Sequence, residues 1–500
     1  MLWLLAGHLV LFGLAAALST TPTGGKAKQT TTTKAFSNRN RLDQILLESE
    51  HASPNFPRTW VPLAAVDHLD PNRPTPLQFL GANYVTYQDN SGQWVVMDNA
   101  CPHRMAPLSE GRIERNLNVI ECAYHGWQFD SKGACQRIPQ IDEQRFAKAA
   151  ASPLSCVASY PVVVEKGMLW AWLWSDDPLS VAGIPEAHPE CMARGWAGSP
   201  YMRDLPYGWD TLLENLLDPA HVPFAHHGLQ GTRDDAIPIN MTVVADVSQY
   251  GFKVKFEDRT MKNLRRGTGE LRAPYVLHYK GSYYDTEGNV KTNVPPFRLS
   301  AVCIPTRPGW SRVVIYPGVG VTPEDEKDEK QLSSSPKLVR QIFKLIPTWL
   351  LHVLNSKFLD SDLAFLHYQE REARSRTPER VADAFFMPAP ADRCITAVRT
   401  WVRTYARAWE SQPLPPSPVN RDDLFDRNVQ HVAICRHCQQ AIEGIKKWKR
   451  NSYFVLAASI VGLQLTPFAT VTAVGSLLML PLLTTVERSI TEGGYEHYKT

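Results

Sequence analysis

One stretch, CPHRMAPLSEGRIERNLNVIECAYHGWQFD, restricts the fold more than any other, because it holds C-x-H, eighteen intervening residues and then C-x-x-H. Two thiolates, Cys101 and Cys122, suit one iron of a [2Fe-2S] cluster, and two neutral imidazoles, His103 and His125, suit the other. Each half-motif then gives one ligand to each iron, so two loops must meet face to face. Pro102 and Pro107 stiffen the first loop, and Gly126 lets the second turn tightly. A structural zinc site would use the same residue types. Its paired ligands usually sit two to four residues apart, whereas Cys101 and His103 are separated by one. Neutral histidines in place of two thiolates raise the potential above that of a plant-type cluster, within reach of an ordinary ferredoxin.

The motif lies in a region, about Trp60 to Trp174, of short alternating segments broken by turn residues. YVTYQ-DNSG-QWVVM predicts a hairpin with Gly92 at its turn, and PVVV-EKG-MLWAWLW predicts another. This part is expected to be a small all-β domain over 55–178. The next part, 179–410, mixes probable strands (VVADVSQYGFKVKFED, SRVVIYPGVGV) with helices predicted around 209–218, 336–358 and 362–375, an α+β pattern.

A cluster needs an electron acceptor, and ENLLDPAHVPFAHHG offers one. Two histidines and one carboxylate on one face leave an iron with open positions for oxygen. His221 and His226 are five apart, which on a straight helix separates them by about 140°. Pro223 is expected to end or kink that helix so that both rings turn to one metal. The carboxylate must come from elsewhere. LDSDLAFLHYQE provides Asp362 at the start of an amphipathic helix, with Asp360 as competing ligand or cap. His227 reads as a structural neighbour of the site.

The two motifs together resemble the oxygenase components of Rieske non-haem iron oxygenases, over roughly residues 60–410. ENLLDPAHVPFAHHG, LDSDLAFLHYQE, the CRHC pair and an apolar C-terminal segment resemble the chloroplast, pheophorbide a oxygenase-like branch. The resemblance implies a Rieske domain followed by a helix-grip catalytic domain, a homotrimer, and reduced ferredoxin as electron donor. It implies that Asp218 links His125 of one subunit to His221 of the next, a carboxylate between two ring N–H groups. It also implies that Asn215 lines the iron site. No Gly-rich dinucleotide fingerprint is present, so the reductant is external. The implied reaction is insertion of oxygen into a chlorophyll-derived tetrapyrrole, pheophorbide a first. Protochlorophyllide, a linear chlorophyll catabolite, or a non-catalytic redox component of an import machine are the alternatives. Charge excludes a nucleic-acid partner on bulk electrostatics, with 53 basic against 50 acidic side chains.

Both ends carry further signals. MLWLLAGHLVLFGLAAALS reads as a signal core, and the hydroxyl-rich, basic tract after it reads as a transit segment. Residues 1–40 are thus expected to be a bipartite plastid address; a plain secretory signal with a linker is the alternative. SQPLPPSPVNRDD opens a linker over 411–450 that carries Cys435 and Cys438. Arg436 and His437 between the sulfurs are expected to lower a thiol pKa and favour disulfide exchange, with thioredoxin as the implied partner. His431 with both thiols would make three quarters of a zinc site, with no fourth ligand evident. Residues 453–486 have no charged side chain, and Thr466-Pro467 divides them, which predicts a transmembrane helical hairpin. One span at 468–486 after an interfacial helix, or a buried core hairpin, are the alternatives.

Overall fold

The computed structural model describes residues 56–175, 200–291, 296–318, 346–377, 381–406, 413–418, 420–462 and 467–499. The proposed address at 1–40 lies outside them, as does 336–345, the first part of one predicted helix.

Eleven short strands build the amino-terminal domain: β1 (Val61–Ala65), β2 (Thr75–Phe79), β3 (Ala82–Gln88), β4 (Trp94–Asp98), β5 (Arg112–Glu114), β6 (Val119–Glu121), β7 (Gln128–Phe129), β8 (Cys135–Arg137), β9 (Ser159–Tyr160), β10 (Val162–Glu165) and β11 (Met168–Ala171). They form three antiparallel sheets, ordered β1-β11-β10, β2-β3-β4-β9 and β5-β6-β7-β8. Both predicted hairpins are present. Asp89 Oδ1 accepts from the backbones of Ser91 and Gln93 at the β3–β4 turn. Lys166 and Gly167, both at positive φ, close β10 onto β11 as a primed two-residue turn. A helix, α1 (Glu143–Ala150), covers β8.

The second domain is one seven-stranded antiparallel sheet, β12-β18-β17-β16-β15-β14-β13. Its members are β12 (Tyr201–Leu205), β13 (Thr242–Ser248), β14 (Gly251–Thr260), β15 (Asn263–Arg272), β16 (Val276–Tyr284), β17 (Phe297–Arg307) and β18 (Trp310–Gly318). Helix α2 (Trp209–Leu217) lies on β16 to β18, and a short α3 (Val222–Ala225) follows it. The long α4 (Thr348–Arg376) reaches β12, and α5 (Arg393–Tyr405) packs on α2, β13 and β14. Its buried stripe, Cys394, Ala397, Val398, Trp401 and Val402, follows the helical period.

Two sequence expectations change here. Asp362 does not begin a helix: the two helices predicted around 336–358 and 362–375 are, over the described residues, one 29-residue helix with Asp362 inside it. Polar Asn355, Ser356, Asp360 and Ser361 suggest a break in sequence, but Ser356, Asp360 and Ser361 are buried and find tertiary partners. Pro223 does not end the helix before it either. That helix stops at Leu217, with Asp218 extended, and Pro223 sits in the first turn of α3, where its missing N–H costs nothing.

One apolar core runs through both domains. Phe56 and Phe79 of the first meet Trp209 and Tyr275 of the second at ring centroid separations of 6.1–6.4 Å. Backbone bonds cross the same seam, from Leu80 to Pro305 and from Gly81 to Thr306. The sheet bearing Cys122 keeps a small core of its own, with Val85, Tyr87, Ile120 and Phe129.

After α6 (Arg427–Gln430), helices α7 (Arg436–Gly462) and α8 (Pro467–Thr491) pack antiparallel, Ser459 bonding Thr472 (2.6 Å) and Lys449 pairing with Glu487. Among the described residues, only α8 has a stretch long and apolar enough to cross a membrane, Thr470–Thr491 with mean hydropathy 1.5.

A charged knot holds the chain's end to α4. Arg203 and Arg427 donate to the two oxygens of Asp360 (2.7 and 2.5 Å), all three being buried, and the Gly494 backbone N–H adds a bond at 3.2 Å. Removing Asp360 strands two buried cations. Asp360→Ala should therefore lower unfolding free energy by about 3–5 kcal/mol in denaturant titration. A loss below about 1 kcal/mol would show that the knot is solvated.

Candidate active site

The two cluster loops are built alike. In the first, Cys101 N donates to Ala106 O and Met105 N to Cys101 O, each at 2.8 Å. In the second, Cys122 N donates to Trp127 O (2.8 Å) and Gly126 N to Cys122 O (3.0 Å). The fifth residue of each loop has positive φ, +61° at Met105 and +73° at Gly126. At Gly126 a Cβ would also stand 3.1 Å from Pro139, so glycine is needed there for both reasons.

This pairing puts the two sulfurs inside and the two rings outside. Cys101 and Cys122 are buried, and burial pushes the Cys101 thiol up to about 12 in the metal-free chain. His103 is exposed and His125 half-buried, with ring centroids 4.6 Å apart, and His103 stacks on Trp127. The donor set therefore fits two thiolates on an inner iron and two imidazoles on an outer one. Met105 and Tyr124, both well exposed, flank the rings.

The second site lies where α2 gives way to α3. His221, His226 and Asp362 bring one donor atom each within 4.8 Å of one another. The Nε2 atoms of the histidines are 3.2 Å apart, and Asp362 Oδ2 stands 3.4 Å from His226 and 3.9 Å from His221. Ser361, which sequence reasoning missed, sets the tautomer: its hydroxyl donates to Phe358 O (2.7 Å), so at 2.8 Å it must accept from His226 Nδ1–H. The lone pair of Nε2 is then left for a metal. His221 Nδ1 faces Asp218 Oδ2 at 3.6 Å.

Asp362 is the anomaly that reports an ion. It is buried, its Oδ1 makes no hydrogen bond among the described residues, and burial pushes its pKa up to about 6, against the pull of His221 and Asn215. Burial opposes charge on His221 too, but Asp362 and Asp218 outweigh it and hold its pKa above the ordinary value. Burial, with His221 and His497 nearby, drives His226 well below. An orphaned carboxylate oxygen beside imidazole lone pairs is the donor set of a facial two-histidine, one-carboxylate iron.

The other expected residues fall as follows. Asp360 is not at the site; it belongs to the arginine knot. Asn215 is buried at the end of α2 beside Asp362. Asp218 caps α2, accepts from Ala220 N (2.7 Å) and makes no bond to His125 within the chain among the described residues. His227 accepts from Arg233 N. Cys435 and Cys438 are fully buried beside His352 and His431, remote from solvent thiols. Arg436 and His437, expected to activate the thiols, pair instead with Asp67 of the amino-terminal domain (2.8 and 2.9 Å). The chain's last residues also return to the site, His497 lying 2.8 Å from Ser361 O, which no local pattern announces.

Both domains have counterparts among known proteins. A family model described as Rieske [2Fe-2S] domain matches residues 59–161, and one described as pheophorbide a oxygenase matches residues 272–379. The chain is 32% identical over 407 residues to the chloroplastic pheophorbide a oxygenase of Oryza sativa subsp. japonica, covering 76% of this chain and 72% of that protein. Flavonoid 8-hydroxylase 2, chloroplastic, of Ocimum basilicum is 28% identical over 496 residues, covering 91% and 88%. Dicamba monooxygenase in its crystal structure with dicamba shares the fold, with TM-score 0.50 and 18% identity over 69% of this chain and 96% of that one.

Metal loading should depend on pH. Asp362 must lose its proton to bind, so Fe(II) affinity should fall by about tenfold or more per unit as the pH drops below about 6. Equilibrium dialysis of the metal-free protein measures this, and a flat affinity between pH 7 and 5 contradicts it.

Proposed function

The chain belongs to the Rieske non-haem iron oxygenases, in their pheophorbide a oxygenase-like branch, and from that membership we propose a ferredoxin-dependent enzyme that inserts oxygen into pheophorbide a at a plastid membrane. The observation that carries the substrate is the match at residues 272–379. It covers β16 to β18 and α4, the helix that brings Asp362 to the histidines.

When bound, the cluster supplies single electrons and the mononuclear iron activates dioxygen. Cys101, Cys122, His103 and His125 hold the former, and His221, His226 and Asp362 the latter. Ser361 fixes the His226 ring, and Asp218 orients His221 through Nδ1. Asn215 favours the ionised form of Asp362. The Asp218–His125 bridge that the family resemblance implies is read as lying between subunits of a trimer; within one chain, among the described residues, the two do not meet. The exposed Met105 and Tyr124 around the cluster histidines support a docked neighbour there.

Anchoring follows from α7 and α8. Exposed Tyr453, Phe454, Ile460 and Val461 on one, and Val471, Leu477, Leu478 and Leu482 on the other, leave an apolar surface that the described residues do not cover. Lys446, Lys449, Arg450 and Glu487 gather where these stretches begin. The Lys449–Glu487 pair marks the waterline of a hairpin whose helices run on for roughly 20 and 30 Å, enough to enter the bilayer deeply. An apolar tetrapyrrole partitions into that phase.

The flavonoid-hydroxylating relative covers more of the chain, so a smaller phenolic substrate is the second reading. Solubilised full-length protein, reduced ferredoxin and ¹⁸O₂ should label pheophorbide a, and leave protochlorophyllide, linear bilins and flavones unlabelled. His221→Ala should cut turnover at least about 100-fold while keeping the rhombic resonance of the reduced cluster. Labelling of a flavone instead of pheophorbide a contradicts the assignment.

A further inference from the structure

The first helix of the C-terminal pair begins in a buried cluster that neither iron centre uses. Cys435 immediately precedes α7 and Cys438 lies in its first turn. His431 follows α6, and His352 comes from the start of α4, 79 residues before His431. One donor atom of each lies within 4.8 Å of the others, and all four residues are buried.

Four of the six edges between these donors match a tetrahedron. His352 Nδ1 and His431 Nε2 are 3.2 Å apart. Nitrogen-to-sulfur separations are 3.3 Å from His431 to Cys438, 3.5 Å from His352 to Cys435 and 3.6 Å from His352 to Cys438. Zinc bonds of about 2.0–2.1 Å to nitrogen and 2.3 Å to sulfur, set at tetrahedral angles, require edges of about 3.3–3.4 Å between nitrogens and about 3.5 Å between nitrogen and sulfur.

The surroundings select the ligating atoms. His431 Nδ1 stands 2.6 Å from the carbonyl of Met202, to which it can only donate, so Nε2 carries the lone pair. His68 stacks flat on His352, centroids 4.9 Å apart and planes 13° apart, and fixes that ring. Arg436 and His437 are drawn to Asp67, away from the sulfurs. Two thiolates would cancel the charge of a divalent ion, leaving the buried site neutral. With four protein ligands and no solvent-facing side, it has no open position for catalysis.

We propose that His352, His431, Cys435 and Cys438 bind a structural zinc ion, a third metal centre distinct from the cluster and the mononuclear iron. The ion clamps α7, and with it the membrane hairpin, to α4. Asp362 lies ten residues after His352 on that same helix, about 15 Å along its axis, so the clamp also steadies the helix that carries the iron carboxylate. Redox exchange with thioredoxin would need sulfurs that reach the surface, and these do not.

Elemental analysis of the full-length, detergent-solubilised protein tests this. The expected content is about one zinc per chain beside the iron, retained through gel filtration with a chelator. His352→Ala and Cys438→Ser should lower zinc at least about tenfold, while the cluster resonance persists. Cobalt(II) replacing zinc should give the thiolate charge-transfer band and intense visible bands of a tetrahedral site in the wild-type protein, which decides the matter even if a variant aggregates. Wild-type protein that takes up neither zinc nor cobalt, or a Cys435–Cys438 disulfide found by mass spectrometry after alkylation, overturns the proposal.

Discussion

The carboxylate of Asp362 is the constraint on which the rest of the molecule depends. A helix of 29 residues carries it into the interior, where it is 3% exposed, and one of its oxygens has no hydrogen bond among the described residues. Burial of a lone carboxylate is unfavourable by several kcal/mol, and the chain answers with two imidazole faces and room for a cation. Around that point the seven-stranded sheet, α2 and α5 hold the histidine-bearing turn against α4. The buried groups Arg399, Asp210 and Glu214 join α5 to α2. The Asp360 knot fixes α4 in rotation. One residue separates Asp360 from Asp362, and each faces its own set of partners.

How much of this was legible follows the distance along the chain over which the physics acts. The cluster loops and the turns at Gly92 and Gly167 are local, written in residue spacing and in positions that need positive φ. The histidine pair was legible as a pair, but the break that aims it was placed at Pro223 instead of at Asp218. Proline serves equally well in the first turn of a helix, and sequence does not say which use applies. The continuous α4 was hidden because buried polar residues inside it look like a boundary until Arg203, Arg427 and Tyr201 are seen to satisfy them.

Long-range partners were not legible at all. His352 gives no sign that it meets Cys435, 83 residues away. The same holds for Ser361 under His226 and for the carboxyl-terminal tail behind the iron site. CRHC alone reads as a reactive thiol pair; with two imidazoles brought to it, the same thiols read as half of a metal site. The C-terminal pair of helices is then a lever pinned at its base, with apolar faces projecting and ion pairs at its foot.

The central claim is that His221, His226 and Asp362 hold one iron apart from the cluster. Mössbauer spectroscopy of ⁵⁷Fe-loaded protein, reduced and without substrate, addresses it directly. The account predicts a high-spin ferrous doublet holding about one third of the iron, absent from Asp362→Ala while the cluster components remain. A doublet undiminished in that variant, or wild-type iron confined to the cluster, would contradict it.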